Sequence, residues 1–162
     1  MAIVADPEGA VLGAWRPGKH RGAQLVNEPG AWAWSQLQAG DLDRAVAFYG
    51  AVIGWGTRTF DAGDGDAVTI WTVPGYVGGR PTQPLPRDVV AGLMPLPDDG
   101  TEPHWSVEFW VDDVDEAAAR AIELGRSVVV PPADASIGRT AVLRDPGGAT
   151  LSVSRVIPKE AG

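Results

Sequence analysis

The feature that most constrains this chain is that it uses one piece of grammar twice. A strand, a sharp turn and a helix recur at a spacing of 72 residues (115 − 43). In the first copy, residues 31–38 alternate as a half-buried strand does, with Trp32, Trp34, Gln36 and Gln38 on one face and Ala33, Ser35 and Leu37 on the other. Gly40 supplies a corner, and Asp41 is placed to accept backbone N–H groups as an N-cap. Leu42, Ala45, Val46, Tyr49 and Ile53 follow at helical spacing until Gly54 stops the helix. In the second copy His104, Ser106, Glu108 and Trp110 share one strand face, and Trp105, Val107, Phe109 and Val111 share the other. Asp113 and Glu116 form a capping box, Val114, Ala117, Ala118, Ala121 and Leu124 make the apolar helix face, and Gly125 ends the helix. A repeat this long is a supersecondary unit and not one turn of a solenoid.

Strands complete each copy. After the first helix come Thr57–Phe60, a turn at Asp61–Asp66, the β-branched run Ala67–Val73 and, beyond an irregular Pro/Gly loop at 74–88, Val89–Met94. After the second helix come Ser127–Val130, Arg139–Arg144 and Ala149–Val156, with an Asp-Pro-Gly-Gly turn between the last two. The chain also opens with a hairpin, AIVA at 2–5 and Ala10–Trp15 around Asp6-Pro7-Glu8-Gly9. That hairpin echoes the last one: ADPEGAVLGAW at 5–15 is similar to RDPGGATLSVS at 144–154, the Asp-Pro turns standing 139 residues apart (145 − 6). Residues 1–28 therefore read as a hairpin and connector left from a preceding module, residues 29–157 as one module, and 158–162 as a tail.

Composition narrows the partners. A net charge of −8 disfavours nucleic acid and anionic membrane. No apolar run approaches the roughly 20 residues of a membrane helix, and Met1-Ala2-Ile3 does not begin a signal peptide. With no Cys there are no disulfides or thiolate metal sites, and a cytoplasmic protein is expected. Seven Trp on strand faces need either a core or a ligand to cover them.

Two βαβββ units in tandem, the helix start G-D-L-D-x-A-x-x-F-Y, the second start V-D-D-V-D-E-A and the hairpin D-P-x-G-x-x-L resemble the vicinal oxygen chelate superfamily of glyoxalase I, bleomycin and fosfomycin resistance proteins and extradiol dioxygenases. Asp6–Trp15 and GAQLVNEP at Gly22–Pro29 further resemble the junction of two-module actinobacterial members. The resemblance implies an α+β fold: tandem βαβββ units form a curved mixed sheet around a cavity, here with an extra N-terminal β-hairpin. Metal-dependent members place His, Gln or Glu at four positions on the cavity face. Here three of them fall on Trp34, Ser106 and Ser152, and the fourth falls near Gly92 or Met94. An indole offers only a donor and a serine hydroxyl is a poor ligand, so no bound metal and no cofactor are expected. Substitutes one strand step away would be Gln36, His104 and Glu108.

The candidates divide by chemistry. Glu108, mid-strand between Val107 and Phe109, either pairs with an arginine such as Arg139 or Arg144, or stands desolvated as a general base or an anchor for a cationic ligand. Gln36 is either a rim amide or a hydrogen-bonding group in the cavity. Trp34 and Trp110, with Trp71, form an aromatic cavity wall, or else some of them fill the cavity or a subunit interface. His104 reads as an exposed or capping histidine, and His20 as inert. The expected function is metal-free binding of an aromatic or hydrophobic small molecule between the two βαβββ sheets, through Trp34, Gln36, Ser106, Trp110 and Ser152. One rival is a lyase, isomerase or oxygenase with Glu108 as base; another is a non-catalytic interaction module. A homodimer is expected, because the exposed hairpin at 2–15 needs a sheet of its own or a partner chain to extend.

Overall fold

Both copies fold as strand, helix and three strands, an α+β arrangement of tandem βαβββ units behind an N-terminal hairpin. The computed structural model describes residues 1–20, 22–61, 67–78, 86–135 and 138–156. Residues 62–66 of the expected turn, 79–85 of the long loop and the 158–162 tail lie outside the described residues. The chain divides into two compact units, Met1–Gly18 with Ser35–Trp105, and Lys19–Trp34 with Ser106–Gly162. No described helix is long and apolar enough to cross a membrane.

The first unit holds β1 (Ala2–Ala5), β2 (Val11–Ala14), most of β3 (Trp32–Ala39), α1 (Leu42–Ile53), β4 (Gly56–Asp61), β5 (Ala67–Thr72) and β6 (Val89–Pro95). Its strands lie in the order β4-β5-β6-β3, antiparallel except that β3 runs parallel to β6. Asp41 caps α1 by accepting the Arg44 N–H at 3.0 Å, and Gly54 closes it at φ 76°, a conformation that costs a glycine little. The second unit takes in β7 (His104–Trp110) from Ser106 onward and holds α2 (Val114–Glu123), β8 (Ser127–Ala135), β9 (Gly138–Arg144) and β10 (Thr150–Val156). Its order is β8-β9-β10-β7, again antiparallel except that β7 runs parallel to β10. The same rule, opening strand beside closing strand, orders the strands of both units.

Strand β8 runs longer than its sequence suggests. Pro131 and Pro132 argue for a stop after Val130, yet pairing with β9 continues to Ala135 with shifts of register at Val128/Val130 and Val130/Ala133. An edge strand tolerates prolines at such bulges because the missing N–H faces away from its neighbour. Arg139 of β9 then ties this edge to the helix. Its guanidinium donates to both Asp115 oxygens at 2.6 and 2.8 Å and to Asp134 at 2.9 Å. That pairing holds the Asp115 carboxyl below its usual range.

The first unit's core is aromatic. Tyr49 and Trp71 are fully buried with Leu37, Leu93, Ala45 and Ala91, and Trp55 and Trp105 pack against them. The sequence put Trp71 either on a cavity wall or filling the cavity or an interface; register sets it instead beside Ala91 and Thr57, on the sheet face that meets α1. Its ring centroid lies 5.2 Å from that of Tyr49 and 5.8 Å from that of Trp55.

Among the described residues the hairpin forms its own two-stranded sheet and extends neither unit's run of four strands. Its turn end is fastened to the first unit. Glu8 accepts the N–H groups of Gly40 (3.1 Å) and Asp41 (3.2 Å) just ahead of α1. Buried Asp6 accepts the Tyr49 hydroxyl at 3.0 Å, while that hydroxyl accepts the Trp105 indole N–H at 2.8 Å. Burial raises the phenol's pKa, so it remains a proton donor to Asp6. Tyr49→Phe deletes the atom that serves both neighbours and is expected to cost about 1–3 kcal/mol, the penalty for stranding buried polar groups. Equilibrium denaturation measures it, and a loss under about 0.5 kcal/mol would show that the chain of hydrogen bonds contributes little.

Candidate functional site

Strand parity builds the site in the second unit. β7 and β10 run parallel with Glu108 beside Ser152 and Trp110 beside Ser154; β9 sets Val142 beside Ser152 and Thr140 beside Ser154. Residues paired across strands share a face. Val153, Leu151, Ala141 and Leu143 pack in the cluster around Val114 and Ala117 of α2. The opposite face therefore carries Ser106, Glu108, Trp110, Val142, Ser152 and Ser154.

Glu108 is half-buried at the middle of this face, and its Oε1 accepts the Ser154 hydroxyl at 2.7 Å. Neither anticipated arginine holds it: Arg139 is committed to Asp115 and Asp134. Among the described residues Ser154 is its hydrogen-bond partner, and a neutral hydroxyl compensates little for lost water. Burial accordingly pushes the Glu108 carboxyl above its ordinary value, with the Ser154 bond pulling the other way. Ser154 is itself only 7% exposed. Sequence reasoning missed it: parity puts it two residues beyond Ser152 on the same strand face, but only the pairing with β7 brings it to Glu108.

The other expected residues fall as follows. Ser106, Trp110 and Ser152 share the Glu108 face, each half-buried. Trp34, also half-buried, belongs to the second unit's share of β3, whereas Gln36 belongs to the first unit, beside Gly92. His104 is engaged at the strand start, its Nδ1 lying 2.8 Å from the Glu102 carbonyl oxygen. That agrees with a capping histidine.

Register also resolves the uncertain fourth metal position. Gln36 stands beside Gly92 as Glu108 stands beside Ser152, and 36 + 72 = 108, so Gly92 and not Met94 is the counterpart of Ser152. The set is then Trp34, Gly92, Ser106 and Ser152: one donor-only indole, one residue without a side chain and two hydroxyls. These do not fit a divalent ion. Among the described residues no three His, Asp or Glu side chains are grouped to hold one.

An open recess of about 430 Å³ lies on the helix side, lined by Pro29, Gly30, Asp112, Asp113, Glu116 and Arg120. Asp113 is spent capping α2 through the Glu116 N–H at 2.9 Å. The recess mixes these charged groups with apolar Val111 and Ala117 and has no part in the Glu108 face.

The glyoxalase-like domain family matches residues 34–154. The chain is similar to CFP32 of Mycobacterium tuberculosis, provisionally named a glyoxylase, with 38% identity over 99% of this chain and 57% of that protein. It is also similar to the anthracycline biosynthesis protein DnrV of Streptomyces peucetius, with 39% identity over 94% of this chain and 51% of that protein. The chain thus spans little more than half the length of these curated relatives. Among solved structures, it is similar to methylmalonyl-CoA epimerase from Mycobacterium tuberculosis, with a TM-score of 0.51 and 18% identity over 78% of this chain and 88% of that one. At that identity the likeness is one of fold.

Proposed function

This chain belongs to the glyoxalase-like domain family, and on that premise we propose that it binds an aromatic or hydrophobic small molecule without the help of a metal. The observation that carries this reading is Glu108, a desolvated carboxyl with one oxygen held by Ser154, on a face shared with Trp110, Ser106 and Ser152. Such a face offers flat apolar area and a few convergent polar atoms, the usual composition of a small-molecule seat. The donor set at Trp34, Gly92, Ser106 and Ser152 supports the metal-free part. The relative named for anthracycline biosynthesis supports a polycyclic aromatic class of ligand.

An anthraquinone probe is expected to quench tryptophan fluorescence, and Trp34→Ala to weaken the quenching while leaving the fold intact. Saturable quenching that is indifferent to Trp34 and Trp110 would remove the aromatic-wall reading. Elemental analysis after dialysis is expected to find no stoichiometric Zn, Ni, Mn or Fe; one retained equivalent would overturn the metal-free part.

A second reading has its own observation. A carboxyl whose pKa is raised by burial is a better proton acceptor, which suits a general base acting on the same ligand. Turnover of a bound ligand that is lost in Glu108→Gln while binding persists would favour the enzyme over the binding protein.

A further inference from the structure

The likeness between the first and last hairpins extends to individual hydrogen bonds. Asp6 Oδ1 accepts the N–H groups of Glu8 and Ala10, both at 2.9 Å, and Asp145 Oδ1 accepts those of Gly147 and Ala149 at 2.8 and 2.9 Å. The Asp6 N–H reaches the Ala10 carbonyl at 2.9 Å and the Asp145 N–H the Ala149 carbonyl at 2.8 Å; Gly9 and Gly148 close their turns on Asp6 and Asp145, each at 3.1 Å. These glycines sit at φ 96° and 93°. Register agrees residue for residue: Val4 beside Leu12 and Ile3 beside Gly13 correspond to Leu143 beside Leu151 and Val142 beside Ser152, each at an offset of 139 (143 − 4 and 152 − 13).

The two hairpins differ in what lies beside them. β10 runs parallel to β7, and the Ser154 carbonyl accepts the Val111 N–H at 2.9 Å. Among the described residues β2 pairs with β1 alone. Because antiparallel bonds alternate and Asp6 is bonded to Ala10, the backbone groups of Val11 and Gly13 point away from β1, as those of Thr150 and Ser152 point away from β9. The outer face beside that edge is apolar, with Ile3 65%, Val11 58% and Trp15 49% exposed. The turn end of the hairpin is fastened to the rest of the first unit through Asp6, Glu8, Ala10 and Leu12.

We propose that β1–β2 is the closing hairpin of a further βαβββ half, and that the open edge of β2 takes that half's opening strand in parallel, as β10 takes β7. The partner is a glyoxalase-like half lacking its own last two strands, and its opening strand sets a residue beside Gly13 as Glu108 sits beside Ser152. A neighbour of this kind satisfies the Gly13 backbone groups, as β7 lies beside Ser152, and covers an exposed strand edge.

The test supplies such a half in cis. Residue 140 is the counterpart of Met1 (140 − 139 = 1), so a second copy of residues 103–139 placed directly ahead of the full chain reproduces the spacing that leads into β9 and β10. Amide hydrogen exchange on the fused and unfused proteins reads the edge. Gly13, the counterpart of Ser152, is expected to exchange at least about tenfold more slowly in the fusion, while Leu12, already bonded to β1, changes little. Several results would overturn the proposal. One is unchanged exchange at Gly13 beside a folded added segment. Another is an added segment that stays unfolded beside a folded chain, because the hairpin would then have failed to complete it. A third is equal slowing with a Gly/Ser segment of the same length. Slowing in the unfused protein as its concentration rises would assign the edge to a second copy of this chain, and would equally overturn it.

Discussion

Trp71→Ala is expected to destabilise the first unit by about 3–5 kcal/mol, the usual cost of emptying a buried aromatic site, whereas Trp34→Ala is expected to cost far less. Trp71 is 0% exposed and touches the rings of Tyr49 and Trp55, so no solvent or ligand can replace it. Trp71→Phe separates packing from polarity. The Trp71 indole N–H finds no acceptor among the described residues, so phenylalanine gives up volume but sheds a stranded donor, and its cost is expected to be well below that of alanine. Chemical denaturation followed by circular dichroism ranks the three variants. A Trp71→Ala protein as stable as Trp34→Ala would mean that the strand parity assigned to β5 is wrong.

The contrast shows how far the sequence can be read. Periodicity located both helices, their Asp41 and Asp113 caps and the tandem strand order, because those are set by residues within a few positions of one another. Trp71 was misplaced because its strand is apolar on both faces, VTIWT, and alternation carries no sign when neither face is polar. Ser154 was missed and Gly92 left ambiguous for a different reason. Each takes its meaning from pairing with β7 or β3, more than 40 residues away, and register between distant strands is not written in local pattern. The pairing of Glu108 with an arginine failed likewise, since only the fold brings Arg139 to Asp115.

Glu108→Gln is the second decisive substitution. The folded carboxyl's pKa lies above its unfolded value, so the folded state holds more protons in the window between the two. Stability linked to this group is therefore fully present below the unfolded value and lost as pH rises through the folded one. The Gln variant, close in shape and never charged, is expected to lack that decline and to overtake the wild type at higher pH. A binding consequence runs the other way. An aromatic ligand bearing an amine is expected to bind the wild type more tightly as the carboxylate forms, and to bind Glu108→Gln about tenfold or more weakly, since a hydrogen bond to a charged group is worth roughly 1.5–3 kcal/mol. Thermal melts and calorimetric titrations across the same pH series check both slopes. Parallel curves for the two proteins would remove Glu108 from the site.

The outer strand of the second unit carries a safeguard that the hairpin lacks. Pro131 and Pro132 interrupt the donor row of β8, and two shifts of register twist its course. Consecutive molecules cannot stack along such an edge, because a fibril needs an unbroken ladder of donors and acceptors. β2, with Val11 and Gly13 open and no proline in its four residues, offers the ladder that β8 withholds. In concentrated solution, misassembly of this chain should therefore begin at its first fifteen residues, and a lysine at Val11 should raise the concentration at which the protein remains clear.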